Sequence, residues 1–128
     1  MALNIVLVSG TREKLQMAAI IAAVSAVSGE QVNVFVSMNA IVYFLVDGVA
    51  KDAPSEGVLG DLLESKNAPP FMQLVEQAVE LGEAKFYPCF MAMDLLGAGE
   101  DQLLPFMQKP VGLTKFMADA KQDQVMVF

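Results

Sequence analysis

"LNIVLVSGTREKLQMAAIIAAVSAVSGEQVNVFVS", residues 3–37, decides the fold class. Leu3 to Val8 is a short, unbroken apolar run rich in β-branched residues. Such a run suits a strand covered on both faces, as in a parallel sheet. It ends at Ser9-Gly10-Thr11, where Ser9 or Thr11 can cap a helix that has Glu13 in its first turn. That helix is expected from Arg12 to Ser28, with Gly29 as its stop. Gln31 to Ser37 then alternates Val32, Val34 and Val36 as a second strand. The helix between them is apolar nearly all round: Ala18, Ala19, Ala22, Ala23, Ser25 and Ala26 surround Leu15, Ile20, Ile21, Val24 and Val27. A helix of that kind is buried on more than one side. One side is expected on the sheet and another on a neighbouring subunit.

Outward from this unit the elements keep alternating. Asn39 can cap a short apolar helix from Ala40 to Val46. Asp47 to Pro70 is the loosest stretch, with Gly48, Pro54, Gly57, Gly60, Pro69 and Pro70 among charges and a short helix over Val58 to Leu63. A loop this long is a lid, an oligomer arm or an insertion. Pro69-Pro70 suits the start of a helix over Phe71 to Leu81, stopped by Gly82. Ala84 to Tyr87 reads as a third strand and Pro88 to Leu96 as a helix ending at Gly97. A short helix over Asp101 to Met107 and a fourth strand over Lys109 to Gly112 follow. Thr114 caps a helix to Lys121, and Val125 to Phe128 closes the chain as a fifth strand. The order implies an α/β fold with a mostly parallel, five-stranded sheet. Residues 1–128 read as one domain, without repeats or low-complexity tracts.

Composition narrows the function. Of 128 residues, 55% are apolar, and mean hydropathy is +0.48. The longest apolar stretch, Met17 to Val27, falls far short of the roughly 20 residues of a spanning helix. No basic segment followed by an apolar core opens the chain, so no signal peptide is expected. Apolar surface shared between subunits is the better account, hence a homo-oligomer. The net charge of −7 and the lack of a basic stripe argue against nucleic acid. A single cysteine forms no internal disulfide, which suits a reducing cytoplasm. Without histidine there is no histidine triad or histidine base, and with one cysteine no zinc site is expected.

In open parallel sheets, ligands and reactions collect at the carboxyl ends of the strands. Those ends carry Ser9-Gly10-Thr11, Ser37-Met38-Asn39, Pro88-Cys89 and Gly112-Leu113-Thr114. Pro88 fits a helix start, which puts Cys89 in the first turn, where free N–H groups and the helix dipole favour a nucleophilic thiolate. The competing reading is a small core residue, because free cysteine is often buried and Met93 shares its face. Asp94 lies about 140° round the helix from Cys89. It is either solvated or held by a partner. Backbone N–H groups along Ser9 to Arg12 could hold an anion, with Lys14, Lys109 and Lys115 as further anion partners or as solvated charges. Neither G-x-G-x-x-G nor G-x-x-x-x-G-K-[ST] occurs, so no nucleotide cofactor is expected.

"FYPCFMAMDLLG", Phe86 to Gly97, resembles the cysteine segment of DsrE/DsrF-like proteins, closest to the branch labelled peroxiredoxin-like. The opening strand with Ser9-Gly10-Thr11, the small-residue first helix and the closing "GLTKFMADAKQDQVMVF" resemble the same family. The resemblance implies a three-layer α/β/α sandwich that forms oligomers. It also implies sulfur relay, with Cys89 accepting sulfane sulfur as a persulfide and passing it to a partner thiol such as a TusA-like carrier. Met91, Met93 and Asp94 fall on the motif positions after the cysteine, with Ser9, Gly10, Thr11, Ser37 and Asn39 as further candidate site-lining residues. No cofactor and no metal are implied. Phe90 and Ala92 stand where the branch usually has small hydroxyl residues. That departure favours an alternative, a non-enzymatic scaffold or small-ligand binder with an inert Cys89. Thiol peroxidase activity ranks below both, because P-x-x-x-T-x-x-C and a resolving cysteine are missing.

Overall fold

Four strands run parallel in one sheet in the order β3-β2-β1-β4. They are β1 (Ala2–Leu7), β2 (Gln31–Val36), β3 (Lys85–Pro88) and β4 (Gln124–Val127). The computed structural model describes residues 2–47 and 52–128. The helices are α1 (Arg12–Val27), α2 (Val58–Ser65), α3 (Phe71–Gly82), α4 (Phe90–Leu96) and α5 (Leu113–Ala120), with 3-10 helices at Met38–Phe44 and Glu100–Gln102.

The register sorts the side chains into two faces. Leu3 pairs with Val32, Ile5 with Val34 and Leu7 with Val36. Val34 and Val36 in turn pair with Phe86 and Pro88. These residues are buried and form the centre of the core. Helix α1 packs against β1 and β2, with α3 beside it. The opposite face carries Asn4, Phe35 and Tyr87, on which Phe116 of α5 packs at ring distances of 5.3 Å and 6.2 Å. Helices therefore lie on both sides of the sheet.

The alanines of α1 let α3 approach closely. A Cβ on Gly82 would stand 2.5 Å from the carbonyl carbon of Ala26. Gly82 is thus required by backbone contact, and the helix stop passes to Glu83, at φ 58°. Gly29, at φ 100°, does end α1 as expected.

The sheet has four strands and not five. Lys109 to Gly112 contributes only one parallel bridge, between Val111 and Cys89. Pro110 has no N–H for a ladder, and Gly112 already caps α5 in place of Thr114. The helix expected over Asp101 to Met107 shrinks to Glu100–Gln102, with Leu103 bridged antiparallel to Leu45 and Pro105 unable to donate. The helix expected over Ala40 to Val46 is the 3-10 helix, entered through Ser37 and not Asn39. Gly48, in the loose stretch, lies outside the described residues. No helix among the described residues is long and apolar enough to cross a membrane.

Candidate functional site

Parallel strands that end in register form a flat edge. Leu7 stands opposite Val36, and Val36 opposite Pro88. The ladder runs one step further. The Ser37 amide donates to the Leu7 carbonyl at 2.9 Å and the Cys89 amide to the Val36 carbonyl at 2.9 Å. On the other side the Val111 amide donates to the Pro88 carbonyl at 3.0 Å, and the Phe90 amide to the Val111 carbonyl at 2.9 Å. The backbone of Cys89 is therefore held between β2 and Val111. Ser9 lies two strands away, about 10 Å at the usual strand spacing.

This pinning corrects the expected helix start. Pro88 belongs to the strand, and Cys89 is the N-cap of a seven-residue helix. The sheet claims the Cys89 amide and keeps its backbone extended, at φ −71° and ψ 123°. Its carbonyl accepts the Met93 amide at 3.0 Å, and its side chain makes no capping hydrogen bond. Cys89 is 4% exposed and Ser37 3%. Met93 is buried one turn beyond, as its spacing suggested. Met91 and Asp94 face outward, away from the thiol, and Asp94 makes no ion pair among the described residues. Cys89 lines none of the clefts around Arg12 and Pro69, Asn4 and Phe116, Val24 and Leu74, or Phe90 and Glu100.

Met38 was not singled out from sequence. It follows Ser37 on this edge with φ 48°, a left-handed backbone that is costly for a residue with a long side chain. Exposed Asn39 packs on the first loop: a Cβ on Gly10 would meet the Asn39 Cβ at 3.0 Å. The Tyr43 hydroxyl donates to the Gly10 carbonyl at 2.9 Å. Burial raises the Tyr43 pKa, against the opposing pull of Arg12.

The start of α1 is occupied by the chain's own groups. The Arg12 amide donates to the Pro54 carbonyl at 2.9 Å. The Thr11 hydroxyl bonds Ser9 Oγ at 2.9 Å and donates to the Glu56 carboxylate. Arg12 Nη1 donates to the Gly60 carbonyl at 3.0 Å and Nη2 pairs with Glu64 at 2.7 Å. These contacts close the loop at Ser9 to Arg12 and take up groups that could have held an anion, and Thr11 makes no side-chain capping bond. Glu13 instead reaches across to cap α2, accepting the amides of Glu56 and Gly57, each at 2.8 Å, and of Gly60 at 3.2 Å. The Glu56 amide above all, opposed by partial burial and helped by the amides of Glu13 itself, Gly57 and Gly60, holds the Glu13 carboxyl below its usual range. The segment before and including α2 is thus strapped onto α1 by polar bonds, while Val58 and Leu59 on α2 face outward. Lys14 lies 4.0 Å from Glu56 and Lys115 3.0 Å from Asp119, so both have partners in the chain.

Among the described residues no three histidine, cysteine, aspartate or glutamate side chains converge as a metal site. A model of the DsrE/DsrF/DrsH-like family matches residues 38–128, well over half of the chain. No curated protein matches in sequence. Two solved structures share the fold over the whole of both chains. A protein of unknown function from Methanobacterium thermoautotrophicum, MTH1491, superposes with a TM-score of 0.64 at 10% identity. The ychN protein from E. coli superposes with a TM-score of 0.61 at 15% identity.

Proposed function

Because the chain belongs to the DsrE/DsrF/DrsH-like family, we propose that it traffics sulfur through Cys89. The observation that carries this reading is the placement of the sole cysteine on the carboxyl edge, its backbone fixed between Val36 and Val111. The Cys89 thiolate attacks the outer sulfur of a donor persulfide. The donor S–S bond breaks, a new S–S bond forms at Cys89, and the donor leaves as a thiolate. A thiolate on a carrier, for which a TusA-like protein is the candidate, then attacks the outer sulfur. It takes that sulfur and returns Cys89 as thiolate, with no net oxidation in either step. Burial of the thiol means that the edge opens for each transfer and shields the persulfide between them. A reducing compartment such as the cytoplasm suits this chemistry.

The same burial favours a second reading, an oligomeric scaffold or small-ligand binder whose Cys89 is inert. Both readings include self-association through α1. A groove of about 400 Å³ lined by Ile20, Val24, Val27 and Leu74 lies on its outer side.

Intact-mass analysis of the native protein after brief polysulfide exposure separates the two. Sulfur transfer predicts a gain of one or more sulfur atoms, removed by reductant and absent in Cys89→Ser. No gain, with a thiol that resists alkylation until unfolding, supports the scaffold.

A further inference from the structure

Helix α4 is apolar on both faces. Ala92 and Met93 point into the core, while Phe90, Met91 and Leu95 are 62%, 51% and 77% exposed. At 100° per residue these three share the outward face with Asp94. Three large apolar side chains on one short helix are costly to leave in water, and such a patch marks a surface that something covers.

The surrounding charge says what covers it. Phe90, Asp94 and Glu100 line one cleft of about 210 Å³ with Gly99 and Pro110. Asp101 follows Glu100, and the neighbouring cation is Lys109. The outer face of α1 differs, because residues 15–29 carry no charge at all. Two copies can meet across α1 without bringing carboxylates together. A symmetric pair across α4 would set the same acidic residues against each other, in a chain already at −7.

We propose that the outward face of α4 docks a partner protein with an apolar centre and a Lys/Arg rim, and not a second copy. A basic side chain of that partner enters the cleft, against the Phe90 ring and the Asp94 and Glu100 carboxylates. That the partner is the thiol carrier rests on the sulfur-transfer reading, since α4 begins directly after Cys89.

The test uses the full-length Cys89→Ser protein, so that thiol chemistry contributes nothing. The probes are two synthetic amphipathic helical peptides with the same leucine face, one edged by Lys and Arg and one by Glu. The basic peptide is expected to bind, to shift amide signals of residues 90–101, and to weaken with added salt. Binding should fall about tenfold, or 1.4 kcal/mol, in Asp94→Lys/Glu100→Lys and in Leu95→Asp. Equal binding of both peptides, binding of neither, or signal shifts confined to α1 overturns the proposal. So does a Leu95→Asp variant that splits an oligomer in sedimentation. Sulfur loading of unmodified Cys89 is measured separately: loading without peptide binding removes the docking surface alone, and binding without loading removes sulfur transfer alone.

Discussion

The carboxylate of Glu13 and the backbone of Gly60 occupy the same small space. The Gly60 amide donates to Glu13 at 3.2 Å, and a Cβ on Gly60 would stand 2.5 Å from Glu13 Oε1. Gly60 is also the one buried residue of α2. The strap over α1 therefore depends on a missing side chain.

Gly60→Ala should open α2 locally. Overpacking of this kind costs about 1–3 kcal/mol. Hydrogen exchange should speed up at least tenfold over residues 56–65, with the amides of β1 and β2 unchanged. Equal protection in the variant would show that Glu13 simply swings aside.

Docking of α2 should also depend on pH. The folded-state pKa of Glu13 lies below its unfolded value, so its contribution is present above the unfolded pKa and is lost as pH falls through the folded one. Protection of the Glu56 and Gly57 amides, relative to their intrinsic exchange at each pH, should fall in that acidic window and stay constant at neutral pH. Glu13→Gln should bring the lower protection to neutral pH and remove the dependence.

Met93→Ala should uncover the thiol. Deleting a buried methionine side chain costs about 2–5 kcal/mol. Alkylation of Cys89, followed well below the unfolding transition, should accelerate tenfold or more. An unchanged rate would mean that other groups, such as the 3-10 helix, close the edge.

Val24→Asp tests self-association through α1. The residue is exposed and lines the groove with Leu74. Sedimentation velocity should show a smaller species than the parent protein at the same micromolar concentration, with the circular dichroism spectrum kept. A monomeric parent protein would remove α1 from any interface.

The elements that could be read from sequence are those fixed by near neighbours. The Val32, Val34 and Val36 alternation and the alanines of α1 each state their own burial, and both elements form where expected. The carboxyl-edge position of Cys89 is legible because strand ends in a parallel sheet coincide. What was not legible depends on distant partners. The start of α4 shifted because the Val36 carbonyl claims the Cys89 amide. The fourth of five expected strands failed because Pro110 allows one bridge only. The strap is not legible because Glu13 and the Glu56, Gly57 and Gly60 amides that it binds are more than forty residues apart.

The strand order has a kinetic side. β1 pairs with β2 after one short crossover, but its other edge waits for β4, and the Asn4 side chain reaches Gln124 across 120 residues at 3.3 Å. Contacts so remote in sequence form late. During synthesis β1 carries an open edge until β4 leaves the ribosome. A nascent chain of this protein is thus exposed to strand-to-strand aggregation for as long as β4 is still unmade.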